Sequence, residues 1–524
     1  MGNAGKVCLS VVLGLGIICA VIGGVMFPIL QTIIHNEIVA QTMLENGTMG
    51  YEIWKDPTAD VYMQFWVWNL TNPDEVQAGT KEPYLVQQGP YTYREVMIKE
   101  NITSHSNGTI TYAQQKSYIL DLDLSVGDPS NHTFTTVNIP AVTAAGLLPF
   151  LSALDRLALK IVLDGTPTFQ SKTVEEILWG YEDLLTQLAY SKNLYPYPEF
   201  GIFVNRNNSN DGLYTVYSGV DKSDTDKINH ISRWKGESEL SFWSSDEANM
   251  LNGTDGSYNA PFFDKKKMMY VFSSDICRSI NAVFDEETSV RDIPTWRYVG
   301  PPSAFANATE NPSNAGFCTP SPEFCLPSGL LNISNCQHNA PIVMSLPHFL
   351  YCDKEKVIDL VHGVVPNQEE HQTFFDIEPM TGGPLNVAKR LQINIHMQPY
   401  PDLKYLKNLS KFYLPVIWLN ESALVTQSGA DQLIEQVENP ILYTTIAKWG
   451  VLGLGILMVA ISTLVLTIMW IMKPSKKPTD SVNAAHPGLQ APYQPNVAHQ
   501  NPQVVPINPN GPVAQHSERT PLIS

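Results

Sequence analysis

Positive charge is scarce in this chain of 524 residues: 33 lysines and arginines stand against 51 aspartates and glutamates, for a formal charge of −18. Phosphate binding needs a basic face, so nucleic acid is excluded as the expected partner. Hydrophobic residues reach only 44%, too few for a many-span transporter. Catalytic signatures are missing as well. There is no His-Glu-x-x-His, no Gly-x-Ser-x-Gly elbow and no phosphate-cradling glycine motif in the central part. Asn207–Gly212 has a faint likeness to a calcium loop, but Ser218 stands where a bidentate glutamate is needed, so it reads as a hairpin turn. The central cysteines lack the paired spacing of zinc ligands. His348 and His371 read as structural. The expectation is a protein that is not an enzyme and carries no cofactor or metal.

Long hydrophobic runs are also few, but there are two. Val7–Leu30 is nearly all apolar or glycine, and Trp449–Met472 lies uncharged between Lys448 and Lys473. At about 1.5 Å rise per residue, each can cross a hydrocarbon core of about 30 Å with some tilt. The first run is too long for a signal-peptide core, and Phe27-Pro28-Ile29-Leu30 is no small-residue cleavage site. Lys6 precedes the first run and Lys473, Lys476 and Lys477 follow the second, which places both ends in the cytosol. Sequons agree independently. Asn46, Asn69, Asn101, Asn107, Asn131, Asn207, Asn252, Asn307, Asn332, Asn408 and Asn420 all fall between the runs, and none falls outside.

The predicted plan is therefore a cytosolic segment 1–6, a span 7–30, a glycosylated lumenal or extracellular domain 31–447, a span 448–472 and a cytosolic tail 473–524. Divided this way, the ends carry +3, and the remainder, with 28 bases and 49 acids, carries −21. The tail holds ten prolines in 52 residues and cannot bury a core. It ends in Glu518-Arg519-Thr520-Pro521-Leu522-Ile523, an acidic dileucine pattern that clathrin adaptors read in sorting to endosomes and lysosomes. Met1-Gly2 lacks the Ser or Thr that myristoylation wants, while Cys8 at the membrane boundary is a candidate for palmitoylation.

Strand signals dominate the large middle domain. Arg390–Met397 alternates polar and apolar, predicting a half-buried strand after a turn at Thr381-Gly382-Gly383-Pro384. Tyr62–Trp68 and Leu213–Tyr217 are aromatic and β-branched in the same manner. Helical signals concentrate between 140 and 190. Ala144–Leu163 reads as helix, and Thr173-Val174-Glu175-Glu176 is a capping box for the next one. Five cysteines remain in this domain: Cys277, Cys318, Cys325, Cys336 and Cys352. Cys318 and Cys325 are close enough to staple a loop. An odd count leaves one thiol free or paired between chains.

Around these cysteines the sequence resembles the class B scavenger receptors. Ser273–Ile280 with Ala282-Val283-Phe284 carries the likeness. So do Asn252–Gly256, Leu178–Tyr181, Ser345–Leu350, Pro366–Glu369 and Asp376–Gly382. Asn314–Cys318 and the terminal Glu518–Ile523 are most similar to lysosomal members, while other segments look equally like members that move fatty acids. The resemblance implies a large antiparallel β-barrel ectodomain with an internal tunnel, an apical helical bundle at about 141–191 and two membrane anchors. It implies transfer of cholesterol, fatty acids or lipoprotein lipids, with a lysosomal cargo protein or lipoprotein at the apex, in lysosomes and late endosomes or alternatively at the plasma membrane. Leu147, Leu148, Phe150, Leu151 and Lys160 are the candidate apical contacts. The implied bridges are Cys277–Cys336 and Cys318–Cys325, leaving Cys352 free; a further bridge found in other members would fall at Ala248 and Gly316. No histidine lies between His132 and His230, so an acid-triggered release by apical histidine is not expected. A two-span ecto-enzyme and a two-span ligand-gated channel share the topology but have no supporting motif.

Overall fold

The computed structural model describes residues 3–473. The sorting residues Glu518, Leu522 and Ile523, with the rest of the proline-rich tail, lie outside the described residues. Two long apolar helices bracket the fold. Asn3–Thr42 contains the first expected span and continues past it. Gln427–Leu433, a π-helical turn Ile434–Glu438 and Asn439–Ile471 form a second continuous run. Both are long and apolar enough to cross a membrane. Glycines bring the two together. A Cβ on Gly16 would sit 2.8 Å from the Met458 Cβ, one on Gly23 2.8 Å from the Leu452 Cα, and Gly455 meets the Ala20 backbone. Small residues placed like this let helices associate in lipid, where no hydrophobic force drives them together.

Seventeen strands lie between the helices among the described residues: β1 (Ala59–Leu70), β2 (Leu85–Ser104), β3 (Thr109–Asp121), β4 (Thr133–Val137), β5 (Phe169–Thr173), β6 (Tyr181–Glu182), β7 (Glu199–Phe200), β8 (Leu213–Tyr217), β9 (Ile231–Trp234), β10 (Met269–Ser273), β11 (Arg278–Val290), β12 (Ile293–Val299), β13 (Leu331–Asn332), β14 (Ile342–Ser345), β15 (Phe374–Ile377), β16 (Pro384–Met397) and β17 (Phe412–Val425). Eleven form one path, β10-β11-β12-β15-β16-β17-β1-β2-β3-β8-β9, with β14 pairing to β16 and β13 to β14. β4–β5 and β6–β7 are separate two-stranded ladders. All pairings between these strands are antiparallel.

The segment Asn252–Asp255 stitches the two edges of this path. Ile231 N–H at the β9 edge donates to Gly253 O at 2.8 Å, and on the other side Thr254 N–H donates to Tyr270 O at 3.1 Å and Phe272 N–H to Thr254 O at 2.8 Å. Glycine is required here because φ is 76° and any Cβ would strike the Tyr270 carbonyl. Asp255 anchors the stitch from inside, accepting from Tyr112 Oη at 2.6 Å and Asn229 Nδ2 at 2.8 Å. The result is the nearly closed antiparallel barrel that the family resemblance implied, and it avoids an open edge that would leave backbone groups unpaired.

Three local readings need correction. Leu391–Ile395 in β16 is buried on both faces, not half-buried. Its polar positions turn inward, with Asn394 Nδ2 donating to Ser345 Oγ at 3.0 Å and Gln392 Nε2 to Asn394 Oδ1 at 2.9 Å; β14 covers what alternation alone would leave to water. Asn207–Gly212 is not a hairpin turn. It joins β7 to β8, which belong to different sheets, and lies along β3 through Lys116 and Ser209. Ala144–Leu163 is not one helix but two, Ile139–Leu147 and Ala153–Asp164, separated by a 3-10 turn at Leu148–Phe150. Pro149 in that turn cannot continue the first helix's bonding, and Ser152 caps the second at Asp155 N. Thr173 and Glu176 do form the reciprocal capping box of Val174–Trp179.

Candidate functional site

The barrel encloses a cavity of about 280 Å³. Apolar side chains from β1, β16 and β17 make much of its wall. Val61 faces it from β1, Val387 and Leu391 from β16, and Ala423 and Val425 from β17. The wall continues down to Met49 and Ile53, which follow the first apolar helix, and to Gly429 and Leu433, which lead into the second. One end of the cavity is therefore joined covalently to both candidate spans.

Set into this apolar wall is a chain of charges. Glu421 of β17 lies directly opposite Lys389 of β16, with their charged atoms 2.9 Å apart. Lys389 also meets Asp275 at 2.6 Å, while Lys116 of β3 meets Glu421 at 2.9 Å and Glu95 of β2 at 2.8 Å. Glu95 has no exposed side-chain surface, whereas Asp275 is open to the cavity at 47%. Burial dominates at Glu95, whose carboxyl is pushed up to about 7 despite Lys116. At Glu421 burial is outweighed by the ammoniums of Lys116 and Lys389, which hold the carboxyl near 2. The same two lysines overcome burial at Asp275 and keep it well below the usual carboxylate range. With Glu95 protonated, two lysines balance Glu421 and Asp275; with Glu95 ionised, the network carries one net negative charge.

None of these five residues was singled out from sequence. The available signal was periodicity: Lys389 interrupts the cavity-facing series Val387, Lys389, Leu391, and Glu421 begins the series Glu421, Ala423, Val425. A charge on an otherwise apolar strand face is informative, because it must find a partner across the sheet.

The candidate apical residues do not act as one surface. Phe150 is 83% exposed, but Leu147, Leu148 and Leu151 are half-buried, and Leu148 packs on the core. The exposed apolar face extends instead to Leu154, Leu157 and Ile161 of the second helix. Lys160 is already engaged, binding the Asp402 carbonyl and lying 3.3 Å from Asp164. Cys277–Cys336 and Cys318–Cys325 are bridged, Cys352 is a free thiol and Cys8 is free and exposed. A Cβ on Gly316 would lie 2.8 Å from the Ala248 Cβ, so the two positions of the missing third bridge adjoin. His348 and His371 stack at 4.1 Å. Each accepts a backbone N–H at Nδ1, from Val365 at 3.0 Å and Asn367 at 2.9 Å. Burial pushes both below the usual histidine range, to about 3 and 4.

The sequons divide by access. Asn46, Asn101, Asn107, Asn131, Asn207 and Asn408 are exposed. Asn420 lies in β17 with Nδ2 donating to Gln64 Oε1 at 3.0 Å, and Asn307 Nδ2 donates to Leu326 O at 2.7 Å. Site-by-site mass spectrometry of peptides released with and without glycosidase is expected to find glycan at the six exposed positions and much lower occupancy at Asn420 and Asn307.

A barrel with an apolar cavity, bracketed by two helices of membrane-spanning length, fits a two-pass membrane protein. A model of the CD36 family matches residues 14–466. The chain belongs to that family. Lysosome membrane protein 2 of Rattus norvegicus is 38% identical over 431 residues, covering 82% of this chain and 88% of the relative. The Homo sapiens protein of that name is 37% identical over 433 residues, with the same coverage. Scavenger receptor class B member 1 of Sus scrofa is 34% identical over 417 residues, covering 78% of this chain and 79% of the relative. These relatives and the two apolar helices make the chain a two-pass protein of the lysosomal membrane.

Proposed function

We propose that this membrane receptor moves lipid without covalent chemistry, taking cholesterol, fatty acid or lipoprotein lipid into the barrel cavity and passing it toward the bilayer. The observation that carries this reading is the apolar cavity wall running from the ion network to Gly429 and Leu433, at the foot of the second membrane helix. Pockets that are largely apolar with a few placed polar groups suit a ligand held by burial and oriented by its head. The exposed face of Phe150, Leu154, Leu157 and Ile161 is the proposed contact for a lysosomal cargo protein or a lipoprotein, a better candidate than Leu147, Leu148 and Lys160. Glu518, Leu522 and Ile523 are proposed to engage clathrin adaptors, and the sequons, with Asn307 and Asn420 the least occupied, and Cys8 are proposed modification sites. The test is transfer of a fluorescent sterol or fatty acid to acceptor vesicles by the reconstituted full chain. Transfer above the protein-free rate supports the reading, and its absence for both lipid classes contradicts it.

A further inference from the structure

A second cavity, a groove of about 600 Å³, lies between the two apolar helices where ectodomain loops meet them. Gln31 and His35 of the first helix and Thr445 and Lys448 of the second line it, with Phe262 and Met380 added from ectodomain loops. The loop wall is held firmly. Phe262 has a φ of 58°, in the left-handed region a bulky residue seldom occupies. Its N–H donates to Met380 O at 3.0 Å, the next N–H donates to Pro379 O at 2.8 Å, and its ring stacks on His35 at 4.3 Å. Such strain persists where the surroundings over-determine it, and it concentrates at ligand clamps.

Thr32 and Thr444 of the groove bond back to Pro28 O and Pro440 O, but other polar groups there are unspent. The Lys448 ammonium lies 3.7 Å from the Phe27 ring centroid and 5.5 Å from that of Trp449. Among the described residues it has no carboxylate partner. Among the same residues, the side chains of Gln31, Thr445 and His35 make no hydrogen bond. The groove's remaining lining includes Pro28, Leu30 and Ile441, apolar and continuous with the spans.

We infer that this groove binds the phosphodiester of a phospholipid in the lumenal leaflet. Lys448 supplies a charge and Gln31, His35 and Thr445 supply hydrogen bonds, while the acyl chains run down the apolar helix surfaces into the bilayer. A lysine lining this groove without a carboxylate partner, on a domain that is otherwise strongly acidic, favours an anionic oxygen. A lysine that merely snorkels to the interface needs neither a walled groove nor a strained loop beside it. The inference rests on the two-span topology and not on lipid transfer through the barrel, although Met380 adjoins Thr381, a residue of the barrel cavity's lining.

The experiment is native mass spectrometry of the full chain, released from detergent after stepwise delipidation and then titrated with phosphatidylglycerol. The wild type is expected to retain one tightly bound phospholipid. Lys448→Gln should weaken retention at least about tenfold, the worth of one charge-assisted hydrogen bond, while Lys448→Arg should keep it. Ala423→Trp, which fills the barrel cavity, should also keep it, which separates this site from the transfer reading. Millimolar inorganic phosphate should not displace the lipid. If Lys448→Gln fails to fold, Gln31→Leu with Thr445→Val carries the same test and should show a several-fold loss. Equal retention by wild type and the neutral variants would overturn the site. Displacement by free phosphate, or loss in Ala423→Trp, would overturn it equally.

Discussion

Ala423→Trp is expected to cut sterol and fatty-acid transfer by the reconstituted protein at least about tenfold, with the chain still folded and membrane-inserted. Ala423 sits on β17 between Val61 of β1 and Val387 of β16. All three line the cavity. An indole ring at 423 enters space that no side chain occupies, so it meets the cavity and not the packed core. That distinction matters energetically, because overpacking a filled core costs about 1–3 kcal/mol, whereas filling a void does not. The ring would also stand two residues from Glu421, between the ion network and the membrane-proximal lining at Val425 and Leu433. Vesicle transfer assays with circular dichroism on the same preparation read both halves of the expectation. Unchanged transfer in a folded variant would show that lipid does not use the cavity.

Glu95→Gln should stabilise the protein near pH 7.5 by a few kcal/mol and leave it unchanged near pH 4.5. In the folded protein burial raises the Glu95 carboxyl to about 7 from an ordinary value of 4.5. Between those values the folded state keeps a proton that the unfolded state has released, so stability through this group falls as pH rises. Above about 7 the full cost is present, and below 4.5 it is absent. Glutamine mimics the protonated acid at every pH. The buried histidines work in the opposite sense. His348 and His371, depressed to about 3 and 4, lose stability as pH falls below their ordinary 6.5. Total stability is therefore not the quantity to read. The difference between variant and wild type isolates Glu95, and thermal unfolding at the two pH values should show a gap of about 3 °C only at the higher one. Within the five-residue network, charges balance when Glu95 is protonated, and one net negative charge remains when it is ionised.

Much of the architecture could be read from sequence because its signals are local. Apolar runs of membrane length, the capping box at Thr173 and the aromatic strand Tyr62–Trp68 each announce themselves within a dozen residues. The break at Pro149 was also written locally, yet the high apolar content on either side masked it. The ion network was not legible for a different reason. Glu95, Lys116, Asp275, Lys389 and Glu421 are gathered from β2, β3, β16, β17 and a loop, and Lys116 and Glu421 are 305 positions apart. Nothing in a strand's own sequence says which face will line a cavity until its neighbours are known. β16 makes the point in both directions. Its alternation correctly predicts a strand, but the burial of Gln392 and Asn394 depends on Ser345, brought there by β14. The apex shows the same limit, since the exposed Ile161 and the occupied Lys160 are adjacent in sequence and differ only in what Asp402 and Asp164 supply.

The most direct test of lipid passage through the barrel is photolabelling of the full-length protein in vesicles with a diazirine-bearing sterol or fatty acid, followed by peptide mapping. The account predicts labels on the cavity strands, at Val61, Val387, Leu391 and Ala423, and their loss when unlabelled lipid competes. Labels confined to the apical helices and the outer barrel surface, with none on these strands, would contradict it.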